Sequence, residues 1–236
     1  MAELVRDVPA VALAVYAHPD DADVACGGTL ALWARQGCEV HLIVCTDGGR
    51  GTADPGLSPD DLRRRRADEL AAAASAVGLA SHMVLGSQDG ELDERVGFRG
   101  ELVRWIRTVR PEVVLGHDPT AVFFGQHYFN HRDHRVAGWT LLDALSPSAV
   151  LPHYYPEAGP PHQVTTAYLS GTLEPDVWVD ISSTVEVKAS AVECHQSQFA
   201  GGDGWAGTAV RQRAEEEGRR AGVPYAEGFR RLRLGG

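Results

Sequence analysis

Short apolar runs alternate with longer amphipathic segments from Val11 to about residue 145. The runs predict buried strands, because each is brief, continuous and rich in valine or leucine. They are VALAVYA, EVHLIVCT, HMVLG and EVVLGH. The segments predict helices: GGTLALWARQG, SPDDLRRRRADELAAAASAVG, RGELVRWIRTVRP and DHRVAGWTLLDAL. In the second of these helices, Ser58 is placed to cap the start, Pro59 suits the first turn and Gly78 ends it.

Strands that alternate with helices through short connections predict parallel strands joined by right-handed crossovers. We therefore expect an α/β protein with a Rossmann-like three-layer α/β/α sandwich and a mostly parallel sheet. Beyond this region, residues 151–172 predict a loop or an added strand, and residues 174–199 a strand, a turn and a helix. A charged helix is predicted over residues 209–222. No repeat or low-complexity linker interrupts the chain, so we interpret residues 1–236 as a single domain.

Polar, glycine-rich stretches follow all four predicted strands. They are AHPDD, CTDGGRGT, LGSQDGEL and LGHDP. The carboxyl ends of parallel strands share one edge of the sheet, and ligands bind at that edge in open α/β folds. We therefore expect these four stretches to form one functional site.

Two adjacent carboxylates, Asp20 and Asp21, follow His18 in the first of these stretches. They repel each other and are costly to bury, so water or a cation must accompany them. A second cluster, HRDHR, supplies His131 and His134 on one helix face. Taken by themselves, the aspartates are explained by helix capping and the histidine pair is explained by chance. Their combination near strand ends favours a metal site.

Two histidines and one carboxylate, with an open fourth position, are typical of a catalytic zinc site. The open position takes a water, whose pKa the metal lowers toward about 7. Asp20 cannot easily bind the same ion as Asp21, and it is placed to take the proton of that water. His131, left free of the metal, is predicted to stabilise an oxyanion or to protonate a leaving amine. Asp133 is predicted to hydrogen-bond His131 and to keep it positively charged. This set predicts metal-assisted hydrolysis of an amide or ester.

At these residues the sequence resembles the PIG-L/LmbE-like zinc deacetylases, which remove N-acetyl groups from N-acetylglucosamine conjugates. Five ordered motifs across most of the chain carry the resemblance: AHPDDADVACGGTLA, CTDGGRGT, RADELAAAASAVG, HRDHR and VDISSTVEVKASAVECHQSQ. The resemblance implies zinc on His18, Asp21 and His134 and a general base at Asp20. It also implies that His131 is the electrophilic or acid histidine, oriented by Asp133, and that Arg66 and His195 contact substrate. It also implies a small amino-sugar conjugate as substrate and a homo-oligomer.

Other classes of protein fit part of this pattern. Iron(II) oxygenases use the same ligand types, and iron(II) remains an alternative to zinc. A nucleotide-binding Rossmann protein would need G-x-G-x-x-G, whereas HPDDADVACGG places acids where the pyrophosphate would lie. Two alternatives keep the metal site: a zinc enzyme for a different small amide, and a sugar-binding protein that has lost catalysis.

Charge and cysteine content restrict the partners further. The formal net charge of -10 argues against nucleic-acid binding and against an anionic membrane surface. No apolar stretch approaches the roughly 20 residues of a membrane span, and no secretory signal begins the sequence. None of the 4 cysteines pairs at CxxC spacing. We therefore expect a cytoplasmic protein with reduced cysteines.

Overall fold

The computed structural model describes residues 2–199 and 204–235 of the chain. Its strands are β1 (Glu3–Leu4), β2 (Val11–Tyr16), β3 (Glu39–Thr46), β4 (Ser81–Ser87), β5 (Val113–His117), β6 (Phe123–Phe124), β7 (Tyr128–Phe129), β8 (Thr166–Ser170), β9 (Val177–Asp180) and β10 (Ala226–Arg233). Its α-helices are α1 (Asp21–Arg35), α2 (Pro59–Val77), α3 (Val96–Val109), α4 (Arg132–Asp143), α5 (Val185–Cys194) and α6 (Trp205–Ala221).

Eight of the strands form one sheet in the order β1-β9-β10-β8-β5-β2-β3-β4. The five strands β8, β5, β2, β3 and β4 run parallel, and β1 also pairs in parallel with β9. β10 is antiparallel to both of its neighbours. Strands β6 and β7 form a separate hairpin. The parallel strands therefore bring their carboxyl ends to one edge, as the sequence predicts.

Helices cover both faces of the sheet. Side chains of α1, α2, α5 and α6 pack in one apolar cluster with one face of the strands. Side chains of α3 and α4 pack in a second cluster with the other face. The three-layer α/β/α architecture expected from the sequence is confirmed, whereas the single domain stays a prediction. Among the described residues, no helix combines the length and apolar character needed to cross a bilayer.

Local signals explain where the helices that flank the site begin and bend. The Ser58 side chain accepts a hydrogen bond from the Asp61 N–H, and Gly78 ends α2 in the left-handed conformation with φ of 86°. Helix α1 starts at Asp21, a short turn after the end of β2 at Tyr16, and bends at Cys26, where φ is -145°. This bend frees the backbone N–H groups of Gly28 and Thr29, which donate hydrogen bonds to the Glu227 carboxylate on β10.

The C-terminal third differs most from the sequence expectation. Residues 151–172, for which the sequence predicts a loop or an added strand, contain the strand β8, which pairs in parallel with β5 inside the main sheet. Strand β10 lies in a segment for which the sequence predicts no element. Its charged, half-buried residues pair between two other strands, a pattern that local hydrophobicity does not reveal.

Candidate active site

The candidate site lies at the carboxyl end of β2, where the chain turns into α1. His18 follows this strand, and the Asp21 carboxylate accepts a hydrogen bond from the His18 backbone N–H at 2.7 Å. This contact ties the first residue of α1 to the turn that follows β2. Helix α4 brings in the second group: His131 caps its start, since the ring Nδ1 accepts from the Asp133 N–H at 3.2 Å. His134 then lies in the first turn of α4.

Three donor atoms converge between these two helix starts, and we call them the donor cluster: His18 Nδ1, the Asp21 carboxylate and His134 Nε2. His18 Nδ1 lies 3.2 Å from Asp21 Oδ2 and 3.1 Å from His134 Nε2. His134 Nε2 lies 3.1 Å from Asp21 Oδ1. The structure thus brings together the three residues for which the sequence predicts metal binding.

The donor cluster fits a divalent transition metal. Zinc bonds of about 2.0–2.2 Å at tetrahedral angles separate neighbouring donors by about 3.3–3.6 Å, close to the separations found here. Electrostatics indicate the same need for a cation. Burial lowers the pKa of His18, but the carboxylates of Asp21, Asp133 and Asp89 outweigh it and raise this pKa to about 12. Without an ion, the cluster attracts a proton to the imidazole in its place.

The far side of each imidazole is held by a hydrogen-bond acceptor. His18 Nε2 lies 3.3 Å from Asp133 Oδ2 and 3.3 Å from Asp89 Oδ1. His134 Nδ1 lies 2.9 Å from Asn130 Oδ1. Such contacts place the proton on the outer nitrogen and turn the inner nitrogen of each ring toward the ion. These partners therefore orient both predicted histidine ligands.

Asp20 pairs with Arg66 rather than with the donor cluster residues. The guanidinium Nη2 donates to Asp20 Oδ1 at 2.5 Å, and Nη1 donates to the Gly48 carbonyl at 3.1 Å. Burial and the neighbouring Asp21 charge raise the pKa of Asp20, while Arg66 opposes the shift. A carboxylate with a raised pKa beside a metal site has the properties of a general base.

His131 lies next to the donor cluster, with its ring centroid 4.8 Å from that of His18. Its side chain is 43% exposed, so it is the histidine of this group most accessible to a ligand. The sequence predicts that Asp133 hydrogen-bonds His131 and keeps it positively charged, and the structure shows a different partner for the Asp133 carboxylate. The Asp133 carboxylate is 4.0 Å from His131 Nδ1 and is bonded to the backbone N–H groups of Gly90 and Leu92 instead. Burial and the His18 charge lower the pKa of His131, which favours its neutral form rather than a permanent cation.

The two residues predicted to contact substrate are both buried. Arg66 is 2% exposed and lies beneath Asp20, so its bonded partner is the base rather than the open surface. His195 is 0% exposed, and its Nε2 lies 2.8 Å from Asp23 Oδ2 on α1. In this structure Arg66 supports Asp20, and His195 ties α5 to α1.

Sequence reasoning did not single out two residues that structure brings to the site. Asp89 comes from the stretch after β4 and reaches His18, and Asn130 precedes HRDHR and holds His134. Asp89 lies in LGSQDGEL, which the sequence placed at the rim, but no spacing rule identified this carboxylate. His117 also reaches the site from the end of β5, with Nε2 3.3 Å from Asp21 Oδ2 and its ring stacked on His134.

Comparison with known proteins places these residues in a family. The sequence profile of the family described as PIG-L, GlcNAc-PI de-N-acetylase, matches residues 13–145. The chain is 36% identical over 224 residues to a diacetylchitobiose deacetylase of Thermococcus kodakarensis, with 92% of this chain and 81% of that protein covered.

Solved structures agree with the sequence comparison. The N,N'-diacetylchitobiose deacetylase of Pyrococcus horikoshii superposes with a TM-score of 0.87 at 30% identity, covering 95% of this chain and 84% of that one. The 4-carboxy-2-hydroxymuconate hydratase GalB of Pseudomonas putida KT2440 superposes with a TM-score of 0.75 at 25% identity, covering 94% and 95%. From the matched profile and these relatives, the chain belongs to the PIG-L de-N-acetylase family.

Proposed function

We propose that this protein is a metal-dependent hydrolase that removes the N-acetyl group from an N-acetylglucosamine-type conjugate. The observation that carries the proposal is the donor cluster, with donor atoms 3.1–3.2 Å apart, flanked by Asp20 and His131. The diacetylchitobiose deacetylase with 36% identity supports the choice of an N-acetylated amino sugar.

The residues around the donor cluster divide the reaction between them. His18, Asp21 and His134 would hold a divalent ion, which would supply Lewis acidity for the amide carbonyl and would lower the pKa of a water. Asp20 accepts the proton of the attacking water, and its contact with Arg66 keeps the carboxylate ionised and aimed. His131 donates a hydrogen bond or a proton to the nitrogen of the leaving amine.

The proposal also covers which ion is bound, where the protein resides in the cell and whether it associates with itself. Zinc is the first ion to test and iron(II) the second, because both accept two imidazoles and one carboxylate. All four cysteines are unpaired, which supports a reducing compartment such as the cytoplasm. Phe123 and Phe129 on the β6–β7 hairpin are 71% and 66% exposed, which supports self-association through this surface.

The test is acetate release from a panel of N-acetylglucosamine conjugates, using protein of known metal content, with and without a chelator. Release that the chelator abolishes and added metal restores is the expected result. A protein that binds about one ion per chain but releases no acetate would refute the proposed substrate and leave a different amide, or sugar binding without catalysis.

A hydratase is the second candidate, because the GalB hydratase shares the fold at 25% identity. Both reactions consume a water molecule, and a cation at the donor cluster would activate water for either, so the donor cluster alone does not separate them. Incubation with a 4-carboxy-2-hydroxymuconate analogue, followed by ultraviolet absorbance, separates the two: loss of the conjugated chromophore without acetate release from any amide identifies the hydratase.

A further inference from the structure

Arg66 holds the proposed base, and its guanidinium is itself supported by the loop that follows β3. Nη2 donates to Asp20 Oδ1 at 2.5 Å, and Nη1 donates to the Gly48 carbonyl at 3.1 Å. A planar guanidinium keeps its donors in a fixed fork, so the position of one acceptor restricts the direction of the other bond. The loop of residues 48–51 therefore takes part in setting where Arg66 meets Asp20.

Two glycines bring the backbone of this loop against the guanidinium. A Cβ at Gly48 would lie 2.7–2.8 Å from Nη1, Cζ and Nε of Arg66, and φ at Gly48 is 63°. Similar distances to all three atoms place Gly48 over the face of the guanidinium. A Cβ at Gly51 would lie 2.9 Å from Nη1. Such a close approach needs residues without a side chain, so the loop and Arg66 form one packed unit.

Gln198 lies against the same loop. Its Nε2 donates to the Gly51 carbonyl at 3.0 Å, and a Cβ at Gly51 would lie 3.0 Å from its Oε1. The space beside the Gly51 Cα is therefore filled by Arg66 and Gln198 together. The loop cannot move away from Gln198 without losing this hydrogen bond, so Gln198 helps to fix the loop against Arg66.

The segment of residues 195–198, at the end of α5, is anchored on α2. The Glu69 carboxylate accepts from the Ser197 N–H at 2.8 Å and from the Ser197 hydroxyl at 2.6 Å. Glu69 is 9% exposed and lies about one turn beyond Arg66 on the same helix. Hydrogen bonds shielded from water are electrostatically stronger than exposed ones. The segment is therefore a firm support for the helix that carries Arg66.

Residues 195–198 act at a distance from the donor cluster. His195 Nε2 lies 2.8 Å from Asp23 Oδ2 on α1, and Gln198 bonds the Gly51 carbonyl. Among the described residues, none of these four lines the cavity of about 410 Å³ that adjoins the donor cluster. Any effect of this segment on the reaction must therefore pass through the residues that it supports.

We propose that Ser197 and Gln198 are positioning residues for the proposed general base. They hold α2 and the 48–51 loop in place, so that Arg66 directs the Asp20 carboxylate toward the attacking water. Neither residue touches substrate or ion. The inference rests on the proposed function, since it assigns the support of the base in that reaction.

The test replaces Gln198 with glutamate, which keeps the shape of the side chain but exchanges the donor to the Gly51 carbonyl for an oxygen that repels it. The substrate is the most reactive N-acetylglucosamine conjugate of the panel. Metal-loaded Gln198→Glu should lose about 10–100-fold in kcat, the loss expected when a reacting group is displaced by about 1 Å. KM should stay within about a factor of 2 and the metal content should be retained, because the segment supports neither substrate nor ion.

The matched control is Gln196→Glu, which adds the same charge to the same segment at an exposed position. It should leave kcat, KM and metal content unchanged. Ser197→Ala removes one of the two donors to Glu69 and should lower kcat by a factor of about 3–10, whereas Ser197→Thr keeps the hydroxyl and should restore it. The proposal is wrong if Gln198→Glu has the kcat of the wild type, or if activity falls only in proportion to lost metal.

A double variant identifies the route of the effect. Arg66→Lys keeps the positive charge but loses the fork that bonds Gly48 and Asp20 together. In this background, Gln198→Glu should lower kcat by less than about a factor of 2, since the fork through which it acts is already gone. If the two losses multiply in full, the segment does not act through Arg66 and the proposal is overturned.

Hydrogen exchange measured by NMR separates this inference from the proposed function. The Arg50 N–H donates to Asp89 Oδ2 at 3.3 Å, so its exchange rate reports on the order of the loop. If the wild type releases no acetate from any conjugate, the proposed function fails. Exchange at this amide that is about tenfold faster in Gln198→Glu, but not in Gln196→Glu, still supports the segment as the part that holds the loop. Equal exchange in all three proteins overturns it.

Discussion

Asp20 and Asp21 are neighbours in sequence, but their side chains face different partners. Asp21 lies among His18, His117 and His134, whereas Asp20 bonds Arg66. We expect Asp20→Asn to retain about one metal ion per chain and to lose about 10²–10⁴-fold in kcat, the usual contribution of a general base. Asp21→Asn should lose metal affinity itself, because the amide removes the charge that the ion binds.

Elemental analysis and acetate release on the same samples separate these two effects. Asparagine keeps the oxygen that accepts from Arg66, so Asp20→Asn does not leave a buried guanidinium unpaired. Equal metal loss in the two variants would contradict the division of roles.

Asn130 is expected to control metal affinity without touching the ion. Its Oδ1 lies 2.9 Å from His134 Nδ1 and so sets which ring nitrogen is free for the metal. Asn130→Ala should weaken metal binding about 10–100-fold, as measured by competition with a chromophoric chelator. Asn130→Asp keeps an acceptor and should restore most of the affinity. The control is Gln126→Ala, at an exposed position in the β6–β7 hairpin that precedes Asn130.

At the residue scale, the sequence predicts the parts of the site that depend on strand ends. His18 and Asp21 lie in and just after the short turn between β2 and α1, so topology alone places them at the rim. Asp89 and Asn130 reach the site through loop conformations, which hydrophobic periodicity does not encode. The sequence also does not reveal which charged residues are buried. Arg66 lies on a helix rich in charged residues, yet it is 2% exposed, and its guanidinium is bonded to Asp20 and to the Gly48 carbonyl.

Helix α4 delivers His131 and His134 because it packs unusually close to the end of β5. A Cβ at Gly138 would lie 2.7 Å from the His117 carbonyl oxygen and 2.9 Å from Pro119. Gly138→Ala should therefore push α4 outward, lower the free energy of unfolding by about 1–3 kcal/mol and weaken metal binding. Urea denaturation and metal titration measure the two effects.

The matched substitution is Gly97→Ala in α3, where a Cβ meets nothing within 4 Å. Alanine there should be neutral, or stabilising by up to about 1 kcal/mol, because it favours the helix. If both glycine variants lose metal equally, the close approach of α4 is not the cause.

The bend in α1 is held by a buried ion pair, and its energetics are testable. Lys188 and Glu227 are each 4% exposed in their side chains. Lys188→Met leaves the Glu227 charge buried without its counterion and should cost about 3–5 kcal/mol in urea denaturation. Adding Glu227→Gln should recover part of this loss, because no net charge then remains buried. If the double variant loses the full sum, the pair does not act as a unit.

An exposed pair on the neighbouring helices provides the comparison. Arg211 and Glu186 lie 2.7 Å apart, and the Glu186 side chain is 71% exposed. Glu186→Ala should change the free energy of unfolding by less than about 1 kcal/mol, because solvent screens this pair.

At the scale of helices and strands, the sequence predicts the bounds of an element well where a single hydrophobic periodicity dominates the segment. β3 has the bounds of its apolar run, and α2 begins beside Ser58 and ends before Gly78. β8 was not distinguished from a loop, because prolines and histidines precede its short buried run. The β6–β7 hairpin has only two residues in each strand, too few to show an alternating pattern.

At the scale of the whole molecule, the candidate metal site joins the two outer layers. Helix α1 packs in the apolar cluster on one face of the sheet, and α4 packs in the cluster on the other. Asp21 comes from α1 and His134 from α4, so an ion bound by both connects these layers across the end of β2. Its removal should therefore affect the stability of the entire fold.

We expect a chelator to lower the melting temperature. An ion that binds only the folded protein adds about 4 kcal/mol when its free concentration is 1,000 times Kd. For a chain of this size, that corresponds to a shift of roughly 8–16 °C in Tm. Calorimetry with and without chelator, followed by added zinc, measures the shift and its reversal. Asp21→Asn should begin near the chelated Tm and respond little to either addition. A wild-type Tm that ignores the chelator, in protein shown to lose its ion, would mean that the two layers are held together without it.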